Sequence, residues 1–64
     1  MNFQVGDLYR SIYDETIMVI GIDDNDEEYY TLHYIEDDSI DEEHKEYIVA
    51  LVEGGIWKLM SRVG

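Results

Sequence analysis

Residues 16–22 read Thr-Ile-Met-Val-Ile-Gly-Ile, apolar on both parities and rich in β-branched side chains. Branched residues pack well on a pleated surface, so the run is a strand. Thr16, Met18, Ile20 and Ile22 then share one face, and Ile17, Val19 and Gly21 the other. A strand greasy on both faces is expected to be covered on both sides and to lie centrally in a sheet. The rest of the fold has to be arranged around it.

Other segments supply partners for that strand. Residues 7–11 follow the turn signal Gly6-Asp7 and suit a short first strand. Residues 23–26 (Asp-Asp-Asn-Asp) form a turn by composition, since Asp and Asn bond their own backbone and tolerate left-handed geometry. Residues 29–36 return as a hairpin strand, with Tyr30, Leu32 and Tyr34 on one face and Tyr29, Thr31, His33 and Ile35 on the other.

Residues 39–53 read as a helix. Ser39 and Glu42 have the spacing of a capping box, and Asp41, Glu42 and Glu43 suit the positive end of a helix dipole. Ile40, His44, Tyr47, Ile48, Leu51 and Val52 fall on one helical stripe, which Gly54-Gly55 would end. Val49 is the misfit. Residues 56–60 close the chain as a last strand, with Trp57 a large core or rim side chain. The expected architecture is α+β: a strongly bent antiparallel sheet of about four strands, ordered β-β-β-α-β, with one helix packed on it. If the helix is a strand instead, five strands would make a small SH3-like barrel.

A chain of 64 residues is one domain. It buries about 60% of its unfolded surface and has little stability to spare. Cysteine is absent, so no disulfide or thiolate metal site is available to staple it. Hydrophobic residues still make up 45% of the chain and aromatics 12%, the composition of a folded domain and not of an acidic tail. Residues 1–7 carry no basic-then-apolar leader, and no apolar run approaches the ~20 residues of a membrane span. A cytoplasmic location is the expectation.

Charge is where the chain departs from the ordinary. Sixteen acids face four bases, a net of −12. Twelve of those acids lie in residues 23–46: Asp23, Asp24, Asp26, Glu27, Glu28, Glu36, Asp37, Asp38, Asp41, Glu42, Glu43 and Glu46. Lys45 is the one base among them, so the block carries −11 and the remaining forty residues −1. Concentrated like charge opposes compaction, and a fold does not require it. Nucleic acid and anionic membranes are both polyanions, so direct binding to either is disfavoured, while a basic protein surface is favoured.

Carboxylates two residues apart on a strand lie about 6.6 Å apart. Those three or four apart on a helix have Cβ atoms about 5–6 Å apart. Both are near the separation of successive phosphates along a nucleic-acid strand. In size and charge the chain resembles the small acidic inhibitors, many encoded by bacteriophages, that act as DNA mimics. The resemblance is one of type and carries over no functional residue. It implies a binding protein that blocks a partner's nucleic-acid-binding surface; the charge map makes the twelve acids named above the expected recognition residues, with Tyr29 as an aromatic anchor. The competing expectation is a structural or accessory module, self-associating through the spare face of the central strand and Trp57, whose acids only keep it soluble.

Catalytic and metal motifs fail on spacing. An EF-hand frame begun at Asp24 puts Tyr29 where glycine is needed and Ile35 where a bidentate Glu is needed. His33 and His44 are not spaced as paired ligands; His33 suits the second face of a strand, and His44 the edge of a helix among acids. Ser11, Ser39 and Ser61 lack a nucleophile elbow, and the glycines form no phosphate loop. No enzyme, cofactor or metal is expected. Of the six tyrosines, Tyr30, Tyr34 and Tyr47 are expected to fill the core.

Overall fold

The computed structural model describes residues 3–62. The elements run β1 (Asp7–Ser11), β2 (Thr16–Ile22), β3 (Tyr29–Tyr34), β4 (Ser39–His44), α1 (Lys45–Glu53) and β5 (Trp57–Arg62). The five strands form one antiparallel sheet in the order β4-β3-β2-β1-β5. It is a small α+β fold. The sheet has one strand more than expected and stays open, with β4 and β5 as its edges.

Strands β1 and β2 occupy the expected residues, and β2 is the middle strand of the five. It is covered on one face only. Ile17 and Val19 are buried against α1, together with Tyr9, Leu32, Ile48 and Trp57. On the opposite face Ile20 remains 43% exposed. A bulge also breaks the simple alternation. Val19 faces Leu32 and Gly21 faces Thr31, so Ile20 is the extra residue. Beyond it Ile22 faces Tyr30 and has moved to the core side.

The expected helix over 39–53 is corrected to a strand followed by a shorter helix. Ser39–His44 pairs residue for residue with Tyr29–Tyr34, across a turn in which Asp38 takes a left-handed conformation (φ 54). Ser39 therefore caps nothing. The helix begins one turn later, where His44 is the N-cap and its ring accepts the Glu46 N–H. Ile40 had fallen on the apolar stripe by coincidence: it is 59% exposed and contributes no burial. Pairing with β3 gives the backbone of this segment a ladder of partners, and that outweighs the acids' weak preference for a helix start.

The helix end behaves as its glycines suggest. Ile56 N–H reaches Leu51 O at 2.9 Å and Gly55 N–H reaches Val52 O at 3.2 Å, with Gly55 at φ 78. The chain then enters β5, which runs to Arg62, two residues beyond the expected strand. Trp57 is buried at 4% exposure and leans on the Tyr9 ring, so it serves the core and not an outer working surface. Among the core-assigned tyrosines, Tyr30 and Tyr34 pack at its margin, while Tyr47 is 54% exposed.

Candidate functional site: an acidic sheet edge

The acidic block becomes one edge of the sheet. Asp41, Glu42 and Glu43 lie along the edge strand β4. Asp23, Asp24, Asp26, Glu27 and Glu28 lie in the β2–β3 loop at one end of the β3–β4 hairpin, and Glu36, Asp37 and Asp38 in the turn at the other. Glu46 opens α1, and Tyr29 begins β3 opposite His44. A six-residue strand spans about 20 Å, so the charge forms a ridge of about that length with a cluster at each end.

Three of the twelve acids are committed to the fold. Glu36 accepts from the Thr16 N–H (2.7 Å), the Thr16 hydroxyl (2.7 Å) and the Arg10 guanidinium (3.0 Å), tying the β3–β4 turn to β1 and β2. The hydrogen bonds from Thr16, then the nearby Arg10 charge, hold its carboxyl down to about 2. Asp38 bonds His33 at 2.9 Å, and Glu28 contacts His44 at 3.3 Å and Lys45 at 3.6 Å. The other nine have no ion pair among the described residues: Asp23, Asp24, Asp26, Glu27, Asp37, Asp41, Glu42, Glu43 and Glu46.

Strand alternation splits the β4 acids. Asp41 and Glu43 face the Leu32 and Tyr30 side of the sheet, and Glu42 faces the Thr31 side with Ile40. Tyr34 records the crowding on the first side. Burial, then the charges of Glu15, Asp41 and Glu43, push its hydroxyl up to about 12. The ridge also resists strand addition, because the Asp41 carboxylate accepts the Glu42 N–H at 2.9 Å. Read as a helix start, this segment hid Ile40, an exposed aliphatic side chain inside the acidic edge. Reading Ser39–His44 at a period of two would have found it.

Among the described residues no cluster of three His, Asp or Glu side chains is disposed to hold a metal ion, and no helix is long and apolar enough to cross a membrane. No protein-family model, curated protein or solved structure matches the chain.

Proposed function

We propose that the protein is an acidic binding protein that occupies the basic nucleic-acid-binding surface of a partner and so competes with DNA or RNA for it. One observation carries the reading: of the nine carboxylates without an ion pair among the described residues, eight are gathered on one sheet edge and the loops at its two ends, and Glu46 opens the helix that follows. Tyr29 lies beside that edge at 39% exposure and offers an aromatic contact. A rigid row of carboxylates reproduces the charge density of a phosphate strand without its flexibility, and its binding would release counterions as nucleic acid does. The partner class is a nuclease, polymerase subunit, defence effector or nucleoid protein, and the site of action is the cytoplasm. No catalysis, cofactor or direct nucleic-acid contact enters this reading.

The test is competition. DNA binding by a panel of nucleases and nucleoid proteins is measured with and without the protein at about 50 and about 200 mM salt. Inhibition that fades with salt supports the proposal, and no inhibition at low salt rejects it.

A second reading, a self-associating module, is favoured by the uncovered sheet face that carries Ile20, Ile40 and Met60, all more than 40% exposed. Five strands at about 4.8 Å spacing and about 20 Å long give a face of roughly 500 Å². That is well below the roughly 800 Å² each partner contributes to a standard interface, and two copies of net −12 repel. The acidic edge is the stronger candidate.

A further inference from the structure

The opposite edge of the sheet has the other chemistry. Strand β5 closes the sheet beside β1, and the phase of its ladder over residues 56–59, before a bulge at Met60, is fixed by the Ile12 N–H, which donates to Ile56 O at 2.9 Å. In an antiparallel ladder bonded and non-bonded residues alternate. The Ile56 carbonyl and the backbone groups of Lys58 therefore turn toward β1, while the Ile56 N–H is held by Leu51 O, and Trp57 and Leu59 turn their backbone groups outward. Among the described residues no turn, loop or side-chain hydrogen bond occupies the Trp57 or Leu59 N–H. Unlike β4, this edge carries no carboxylate to cap it.

Beside that edge runs an open groove of about 650 Å³, between the last turn of α1 and the sheet, lined by Tyr9, Val52, Gly55, Trp57, Leu59 and Arg62. Its floor is apolar. Leu59 stands 45% exposed there, past the end of α1 at Gly54-Gly55. On the other side of the strand lies Lys58, which has no ion-pair partner among the described residues.

We propose that the β5 edge is a strand-addition site for an extended peptide of a partner protein, with the pattern aliphatic–acidic–aliphatic. The added strand bonds the outward backbone groups of Trp57 and Leu59. Its aliphatic side chains enter the groove against Val52 and Leu59. Alternation then sends the residue between them to the Lys58 face, where a carboxylate is complementary. The net charge of −12 excludes a polyacid, which restricts the acidic residue to the one beside Lys58. This site is independent of the acidic edge and stands or falls without it.

The probe is a displayed library of random decapeptides, panned against the full chain. Enriched sequences are expected to share a single acidic residue flanked by two aliphatic ones. A synthetic peptide of that pattern should shift the amide resonances of Trp57–Arg62 and Val52 and slow exchange of the Trp57 and Leu59 N–H groups. Lys58→Glu should weaken it about tenfold, and a peptide with Lys in place of the acid should recover most of that loss. Reversing charges on β4 should leave binding unchanged. The proposal is overturned by a library that enriches no such pattern. It is equally overturned by shifts confined to other surfaces, or by a peptide that binds as well when its backbone is N-methylated. Movement of the β5 amides with protein concentration alone would make a second copy the occupant and overturn it too.

Discussion

Asp7 and Arg62, fifty-five residues apart in the chain, meet in a two-point contact, Nε to Oδ1 at 2.8 Å and Nη2 to Oδ2 at 3.0 Å. The pair joins the first strand of the sheet to the last. Asp7 is fully buried and also accepts the Gln4 N–H and the Tyr9 hydroxyl, both at 2.9 Å. Burial alone would push its carboxyl up. The Arg62 contact, the Gln4 N–H and the Tyr9 hydroxyl outweigh that and hold it below its ordinary value.

A domain of this length is stable by only about 3–10 kcal/mol. Removing one partner of a fully buried pair costs roughly 3–5 kcal/mol, but the Arg62 side chain is 40% exposed, so water and the remaining donors offset part of that loss. Arg62→Met is therefore expected to lower the urea midpoint without abolishing folding, since Gln4 and Tyr9 still bond the buried Asp7. Asp7→Asn should cost a similar amount, and the double variant less than the sum by at least about 1 kcal/mol. Strict additivity would mean that the contact is incidental.

Acid should unfold the protein in a definite window. Glu36 and Asp7 both have folded values below their unfolded ones, about 2 against 4.5 for Glu36. The Glu36 contribution is therefore complete above its unfolded value and is lost as pH falls from about 4.5 toward 2, and that of Asp7 is lost in the same direction. Thermal melts should hold steady near pH 6 and drop across that window. In Glu36→Gln the gap from the parent should be wide at pH 6 and narrow at pH 3. Profiles that stay parallel would show that Glu36 carries none of the acid limb.

His44 does two things at the β4–α1 junction. Its Nδ1 accepts the Glu46 N–H at 3.1 Å, which assigns the proton to Nε2, facing Glu28 at 3.3 Å. An N-cap acceptor is worth about 1 kcal/mol. His44→Ala is expected to lose that much, and His44→Ser to recover most of it, because a hydroxyl also reaches the first free N–H groups of a helix. Equal losses in the two variants would place the effect in the Glu28 and Tyr29 contacts instead.

Much of the sheet was legible because its signals are local. Thr16–Ile22 is strand by composition, and Tyr30, Leu32 and Tyr34 share the core face as their alternation requires. What was not legible depended on partners distant in sequence. Ser39–His44 carries helix-start residues at helix-start spacing, and only its pairing with β3 makes it a strand. The one-sided covering of β2 follows from there being a single nine-residue helix, which alternation within β2 does not reveal. The acidic ridge was visible as charge. Which acids are already spoken for was not, because Arg10 and Thr16 reach Glu36 from 26 and 20 residues away.

That distinction decides how the proposed function has to be tested by mutation. Reversing Glu36 would break the bonds to Thr16 and Arg10 and confuse loss of fold with loss of binding. Reversing Asp24, Glu27, Glu42 and Glu43 together changes the charge of the ridge by eight units and removes no ion pair among the described residues. Relief of repulsion should leave that variant at least as stable as the parent in low salt, and thermal melts can check it. Against a partner that the parent displaces from DNA at about 50 mM salt, the variant should lose competition by at least a hundredfold. The parent's own affinity should fall steeply by about 200 mM. A folded variant that still competes would remove the acidic edge from the mechanism. Weakened competition with no salt dependence in the parent would point to shape at Tyr29 and Ile40, and not charge, as the basis of recognition.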